Sequence, residues 1–272
     1  MIHTIQVTDI PDDFFDDPYH HIIARCLIAH PREGSQFLRG PGPSYGIWDP
    51  ELGFSYHNPA QADISHWAQW LLDNNVKILA GETRSHYQLV RELGQMLPED
   101  APIKVFFRYE LQDFCIHTSA VHQSEPTLPL KKAQLKDANK LYHLYQRSEN
   151  MQVRSLDSLK FTLQHNRLYF MQKMGKPVSA ALTHCENKDS ALIGGVYTPA
   201  AFRGRRYAYD CMQALMHSLK QEGKTPCLFY EQNNQAARKL YQNLGFQRYG
   251  EWILIELTYQ DEASEADSSA SA

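Results

Sequence analysis

The chain has 272 residues, of which 43% are hydrophobic and 21% charged, with a net charge of −4 and a pI of 6.3. This length predicts two domains. An acidic chain without a basic, aromatic-lined face argues against nucleic-acid binding. No apolar run approaches the ~20 residues that cross a bilayer, and the first residues lack a signal-peptide pattern. We therefore expect a cytoplasmic protein with no membrane association.

Residues 1–118 alternate strand and helix patterns, which predicts an α/β domain. The expected strands are 2–7, 44–48, 53–56, 76–80 and 103–109, and the expected helices are 19–29, 64–72 and 84–96. Between residues 78 and 86 there is no phosphate-binding motif, because Glu82 places an acidic group where a phosphate would bind.

Residues 119–127 are rich in polar residues and proline and form the expected linker. A second domain follows at 128–259, and the acidic, Ser/Ala-rich segment 260–272 is expected to be a mobile tail. The patterns of this domain predict strand 128–132, helices 137–149 and 156–165, hairpin strands 168–172 and 178–184, strand 191–197, a helix from 208, strand 226–231, a helix after Asn234 and a last strand from 246.

The segment from Arg203 to Ala208 joins a buried strand to an amphipathic helix and is rich in arginine. The first turn of a helix leaves N–H groups without intrahelical partners and carries partial positive charge, so a diphosphate can bind there. Gly204 permits close approach of the backbone, and Arg203, Arg205 and Arg206 can add charge-assisted bonds. An ordinary strand-to-helix loop with solvated arginines is the alternative for this turn taken alone.

A second strand and helix follow the first pair. Asn234 is an N-cap candidate, Ala237, Leu240 and Tyr241 lie on the apolar helix face, and Gly245 is placed as the C-terminal left-handed residue before Phe246.

With these residues, the stretch 193–257 resembles the GNAT acetyltransferase superfamily. The cofactor motif of that family, Gln or Arg, two free residues, Gly, one free residue, then Gly or Ala, is met at Arg203 and Ala208, whereas Arg206 stands where the family has Gly. The later family pattern is met at every position from Asn234 to Phe246. The resemblance covers roughly residues 127–259.

The resemblance implies an α/β (α+β) fold with a mixed central sheet and helices on both faces, in two tandem domains of which the first is a degenerate relative. It also implies acetyl-CoA as a substrate. The pantetheine arm would bind the backbone of Val196, Tyr197 and Thr198 between two strands that part. The diphosphate would bind the turn from Arg203 through Gly204, Arg205, Arg206 and Tyr207 to Ala208, next to the helix that carries Asn234 and Ala237.

Acyl transfer to an amine needs a neutral amine, a polarised carbonyl and a proton for the departing thiolate. An unperturbed tyrosine titrates near ~10 and stays protonated at neutral pH. Tyr241 resembles the general acid that is common in the family. The alternative interpretation is that Tyr241 is an aromatic core residue on the inner face of its helix. Glu231 is the candidate general base, with His184 and Glu186 as alternatives.

The 5 cysteines and 13 histidines show no metal-ligand spacing, so we expect no metal. The expected activity is direct transfer of an acetyl group from acetyl-CoA to a primary amine, with a small molecule preferred over a protein as the acceptor; a homodimer is one possible assembly. Two alternatives stay open: a transferase that uses another acyl-CoA, and a non-catalytic protein that binds or senses CoA.

Overall fold

The computed structural model describes residues 1–10, 17, 21–50, 53–97, 103–120, 128–148 and 155–261. Within these ranges no helix combines the length and the apolar composition that crossing a bilayer requires. In chain order the elements are β1 His3–Ile5, α1 Ile22–Ala29, β2 Gln36–Arg39, β3 Tyr45–Asp49, β4 Gly53–His57, α2 Ile64–Asp73, β5 Ile78–Glu82, α3 Thr83–Met96, β6 Ile103–Ile116, β7 Leu130–Lys132, α4 Ala138–Tyr145, α5 Leu156–His165, β8 Leu168–Lys173, β9 Lys176–Glu186, β10 Ser190–Tyr197, α6 Tyr207–Gln221, β11 Thr225–Glu231, α7 Gln235–Asn243 and β12 Gln247–Asp261.

The chain forms two compact units. Unit 1 contains the described residues up to Asp113 and those from Gly250 onward, and unit 2 contains those from Phe114 to Tyr249. The strands β6 and β12 therefore each begin in one unit and end in the other.

Unit 1 is built on a sheet with the strand order β1-β2-β3-β4-β5-β12-β6. β4 and β5 are parallel, whereas β12 pairs with β5 in antiparallel register from Trp252 opposite Glu82 to Glu256 opposite Ile78. The core joins side chains from α2, α3 and β12. Its fully buried members include Trp67, Leu71, Leu89, Leu93 and Ile255.

Unit 2 has the strand order β6-β11-β10-β9-β8-β7. β10 and β11 are parallel, whereas the pairs β10–β9, β9–β8 and β8–β7 are antiparallel. Successive residues of a strand face opposite sides of a sheet. Ala181 packs in one core with Leu215 of α6, and Ala180 packs in another with Leu141 of α4. Helices α4 and α6 therefore cover opposite faces.

The mixed α/β fold expected from the sequence is confirmed. Strand β2 was not predicted, since it has only four residues, of which Phe37 and Leu38 alone are buried. Helix α4 ends at Tyr145, before the expected end at 149.

The division into units differs from the division expected from the sequence. The expected second domain, 128–259, includes residues 250–259, which here belong to unit 1. Pairing between strands far apart in the chain leaves no local pattern, so the sequence could not indicate this assignment. Residues 121–127 of the expected linker and 262–272 of the expected tail lie outside the described residues, while 260 and 261 end strand β12.

Candidate functional site

The two parallel strands of unit 2 part toward their carboxyl ends. Their register runs from Ser190 opposite Thr225 to Ile193 opposite Leu228 and stops there. β10 nevertheless continues to Tyr197 and β11 to Glu231. Beyond Ile193, the main-chain groups of β10 that face β11 are therefore open to a ligand.

A bulge in β10 lies at the point of parting. On the β9 side, Gly194 is opposite Leu182 and Tyr197 is opposite Ala180, so β10 has one residue more than β9 over this interval. Gly195, within the bulge, has a φ of +54° in the left-handed region. A bulge bends its strand and redirects the groups that it carries.

An open cavity of about 770 Å³ lies between the parted ends. It is lined by Arg147, Ser148, Val196, Tyr197, Thr198, Pro199, Ala200, Phe202, Arg203, Gly204, Arg205, Arg206, Tyr207, Ala208, Tyr209, Glu231, Asn233, Asn234, Ala236, Ala237, Leu240 and Tyr241. Tyr241, Glu231 and all the residues nominated for CoA binding are among them, whereas His184 and Glu186, the alternative bases, are not. Their individual roles stay predictions.

The turn from β10 into α6 leaves the start of that helix accessible. Gly204 has a φ of +73°, and a Cβ at this position would meet nothing within 4 Å. Arg206 is the N-cap residue of α6 and caps none of the helix N–H groups with its side chain. By contrast, Asn234 caps α7 with a bond from the Ala237 N–H to its Oδ1 at 3.0 Å.

The three arginines of the turn have different surroundings. Arg203 donates from Nε to the Thr198 carbonyl oxygen at 3.0 Å. The Nε of Arg206 lies 3.2 Å from the buried Asp210 carboxylate, and its guanidinium stands 4.5 Å from the ring centre of Tyr209. Arg205 is exposed. Arg205 is therefore the arginine of this turn whose charge is most available to a ligand.

Arg206 also explains why the family motif has Gly at its position. Its φ is +67°, in the region that glycine enters without steric cost. The turn keeps this conformation with an arginine in place of the glycine, so the sequence departure does not abolish the turn.

Tyr241, on α7, is one of the residues that line the cavity. It is 9% exposed, and its ring centre lies 5.4 Å from that of Tyr230 and 5.9 Å from that of Phe246. Burial, with smaller contributions from Cys115 and Tyr230, raises the pKa of the Tyr241 phenol well above its ordinary value. The phenol is therefore protonated at neutral pH.

Among the three candidate bases, Glu231 alone lines the cavity. His184 packs its ring against Gly194. Glu186 is buried and ion-paired with Arg167 and Lys224, each at 2.8 Å. Burial favours a higher pKa for the Glu186 carboxyl, but bonds from Lys224, Thr183 and Arg167 outweigh this effect and lower it.

Several lining residues were not nominated from the sequence as parts of the site. Arg147 and Ser148 follow α4, Phe202 lies in the turn before α6, and Tyr209 lies in α6. Phe202 and Tyr209 flank the nominated turn, so their place in the chain was a usable signal. The residues after α4 are distant in sequence, and only the family resemblance, which implies an acceptor pocket at 141–154 and 247–252, pointed to them. No group of three or more potential metal ligands occurs within the described ranges.

Residues 172–253 match the family model described as FR47-like protein. Over 94% of the chain, the fold resembles that of a Drosophila protein of known structure, with a TM-score of 0.68 at 14% identity and 98% of that protein covered. A GNAT-family acetyltransferase from Colwellia psychrerythraea matches over 95% of the chain and 100% of its own length, with a TM-score of 0.60 and 14% identity. No curated protein matches the chain in sequence.

A tandem GNAT protein from the clavulanic acid biosynthesis pathway also matches. It covers 95% of the chain and 98% of its own length, with a TM-score of 0.56 and 10% identity. The chain thus carries an FR47-like domain at 172–253 and has the fold of GNAT acetyltransferases, tandem ones included.

Proposed function

We propose that the protein is an N-acetyltransferase that transfers the acetyl group of acetyl-CoA directly to a primary amine. One observation carries this proposal: the parted ends of β10 and β11, an uncapped helix start with arginines, and a buried phenol all open into one cavity. We prefer a small-molecule amine as the acceptor.

The cavity offers separate surfaces for the parts of the substrate. The N–H groups at the start of α6 and the charge of Arg205 suit the diphosphate. The pantetheine arm can bind the open main-chain groups of Val196 to Thr198 as an added strand would. Asn234 and Ala237, at the start of α7, line the same cavity.

In the reaction, the amine nitrogen attacks the thioester carbonyl, a C–N bond forms, and the C–S bond breaks. One proton leaves the nitrogen and one proton is received by the sulfur, so the products are the amide and free CoA. Tyr241 would donate to the departing sulfur, because its phenol keeps its proton at the working pH. Glu231 would accept the proton of the amine, directly or through a water molecule.

The test measures binding and turnover separately. Acetyl-CoA at 100 times its Kd should stabilise the protein by about 2.7 kcal/mol, which raises its melting temperature measurably. Thiol release should then appear with at least one member of a panel of primary amines. Arg205→Glu, an exposed substitution that places a negative charge at the turn, should weaken the stabilisation without altering the unliganded melting temperature.

The outcomes separate the open alternatives. Stabilisation without thiol release for any acyl-CoA and amine pair would assign the chain to non-catalytic CoA binding. Faster release from a longer acyl-CoA would assign a different acyl donor. If neither CoA nor acetyl-CoA changes the melting temperature, the proposal is wrong.

A further inference from the structure

The bulge of β10 has little room. A Cβ on Gly195 would lie 2.8 Å from the Leu182 side chain and 3.2 Å from the Tyr145 hydroxyl oxygen. Its φ of +54° also disfavours any residue with a side chain. The backbone at this position is therefore enclosed by neighbours and held in a conformation that glycine permits.

Two tyrosines tie this bulge to the end of α4. The Tyr145 hydroxyl donates to the Gly195 carbonyl oxygen at 2.7 Å, and the Tyr197 hydroxyl donates to the Arg147 carbonyl oxygen at 2.6 Å. Tyr145 is 5% exposed and Tyr197 is 7% exposed. The two hydrogen bonds join residues 195 and 197 of β10 to residues 145 and 147 at and just after the end of α4. We call this pair of bonds the tyrosine clamp.

Peptide geometry transmits the clamp to the cavity. The Gly195 carbonyl and the Val196 N–H belong to one planar trans peptide, so they point in opposite directions. When Tyr145 fixes the carbonyl on its own side, it also fixes the direction of the Val196 N–H. Val196 lines the cavity, whereas Tyr145 does not.

We propose that Tyr145 is a positioning residue for acyl transfer, because its bond to Gly195 turns the Val196 N–H toward the thioester carbonyl. This inference rests on the proposed function. An N–H that is fixed in advance stabilises the charge that develops on the carbonyl oxygen better than one that must reorient during the reaction. Tyr145 itself lies outside the cavity lining, so its expected effect is indirect.

The test variant is Tyr145→Phe, which removes the hydroxyl and keeps the ring. Loss of a single donor to a developing oxyanion lowers kcat by about 10² to 10³. Tyr145→Phe leaves the N–H present but misdirected, so we expect kcat to fall about tenfold to a hundredfold. The Kd for CoA without an acyl group should change less than threefold. Tyr169→Phe is the control, since Tyr169 is a half-buried tyrosine of unit 2 outside the cavity lining.

A spectroscopic readout distinguishes positioning from general stability. Acetyl-CoA labelled with ¹³C at the thioester carbonyl, bound without amine, should show a lowered carbonyl stretching frequency in the unmodified protein and in Tyr169→Phe. In Tyr145→Phe this frequency should return toward its value in water. If Tyr145→Phe does not fold, Tyr197→Phe is measured instead: it breaks the bond to the Arg147 carbonyl and so loosens the helix end that carries Tyr145, and the carbonyl frequency should shift in the same direction by a smaller amount.

An unchanged carbonyl frequency with unchanged kcat in Tyr145→Phe would overturn the inference and leave the proposed function standing. A fall in kcat matched by an equal loss of CoA affinity would also overturn it, because the clamp would then only stabilise the cavity. If the unmodified protein does not bind acetyl-CoA, the proposed function itself fails.

Discussion

The surroundings of Tyr241 decide what its phenol can do. Burial raises its pKa, with smaller effects from Cys115 and Tyr230, so the side chain keeps its proton over the range in which many amines become neutral. A phenol of this kind is always available as a hydrogen-bond donor to a developing thiolate. It is poorly suited to act as a base.

Replacing Tyr241 by Phe should lower kcat by about 10² to 10³ while the Kd for acetyl-CoA changes little, since the lost interaction forms mainly as the sulfur departs. Steady-state kinetics and calorimetric binding check this. Tyr230→Phe is the matched control, because Tyr230 neighbours Tyr241 but does not line the cavity. Equal losses in kcat and affinity would instead assign Tyr241 to packing.

The raised pKa of Tyr241 also predicts the form of the pH profile. At saturating acetyl-CoA, the rate should rise as the amine loses its proton and then stay level up to about pH 10, since the phenol does not ionise below that pH. A rate profile with an amine that is neutral by pH 9 or so measures this. A fall in rate below about pH 10 would contradict the role of Tyr241 as the general acid.

In unit 1, the buried His86 predicts an acid-sensitive stability. Burial lowers the pKa of His86 to about 4, against partial opposition from the carbonyl and carboxylate of Glu82. Between pH 6.5 and 4 the unfolded chain therefore binds a proton that the folded chain does not, and the free energy of unfolding falls as the pH falls. The loss at pH 4 is about 3 kcal/mol.

Urea unfolding at a series of pH values checks this, and tryptophan fluorescence reports on unit 1 alone. All 4 tryptophans, Trp48, Trp67, Trp70 and Trp252, lie in that unit. His86→Gln should flatten the dependence on pH, whereas His66→Gln, at an exposed histidine of α2, should leave it unchanged. An equal dependence on pH in His86→Gln would show that other groups cause it.

At the scale of elements, the turn before α6 combines an unfavourable backbone with favourable side-chain contacts. Arg206 has a left-handed φ of +67°, but its side chain pairs with Asp210 and covers the Tyr209 ring. A left-handed conformation costs a residue with a side chain about 1–2 kcal/mol. The contacts of Arg206 offset part of that cost.

Arg206→Ala and Arg206→Gly lose the same contacts, but only alanine retains the backbone strain. We therefore expect Arg206→Gly to be more stable than Arg206→Ala by about 1 kcal/mol, measured by chemical unfolding followed by far-UV circular dichroism. Equal stability, or greater stability of the alanine variant, would mean that the turn is not left-handed at residue 206.

The corresponding turn of unit 1 has the same outline and different chemistry. Asn58-Pro59-Ala60 follows β4 as Thr198-Pro199-Ala200 follows β10, and Asp63 before α2 has a left-handed φ of 50° like that of Arg206. No arginine occurs in this turn.

The cap of α3 also differs from that of α7. The carboxylate of Glu82 caps α3 by accepting from the Arg84 and Ser85 N–H groups. Seven residues after this cap stands Leu89, where α7 has Tyr241 seven residues after Asn234. The turn 58–63 therefore lacks the arginines, and α3 lacks the tyrosine, that stand at the corresponding positions of unit 2.

The sequence predicted the elements around the candidate site better than it predicted the turn of unit 1. The cap at Asn234 and the left-handed Gly245, with a φ of +88°, leave local signals that proved reliable. The sequence predicts 78–86 as the place where a phosphate-binding turn of unit 1 would stand, whereas the parallel pair β4 and β5 places the corresponding turn at 58–63. Which strands are parallel is a property of the whole sheet, and no local pattern reports it.

At the scale of the whole molecule, unit 1 is not continuous in sequence. Ile253, Ile255 and Leu257 of β12 are 2%, 0% and 3% exposed within its core. Burying each such side chain contributes about 1.5–3 kcal/mol, and a domain as a whole is stable by about 5–15 kcal/mol. The segment from 250 to 261 thus supplies a large share of the stability of unit 1.

A fragment of residues 1–118, the domain expected from the sequence, should therefore be unfolded. Joining residues 250–261 to its end through a flexible Gly/Ser linker should restore a cooperative unfolding transition, detected by the fluorescence of the buried Trp67. The same fusion with Ile253 and Ile255 changed to Ser is the control and should remain unfolded. Cooperative unfolding of the fragment alone would contradict the expected role of β12.

The exchange of β12 also fixes an order of events during biosynthesis. The ribosome makes residues 1–113 first, yet their central strand partner for β5 emerges only after the whole of 114–249 has been translated. Unit 2 can fold while residues 1–113 still lack β12. The edge of β5 stays exposed for the time that about 140 residues need to be added, on the order of 10 s at about 5–20 residues per second. Nascent chains stalled before residue 250 should accordingly be the ones that chaperones hold longest.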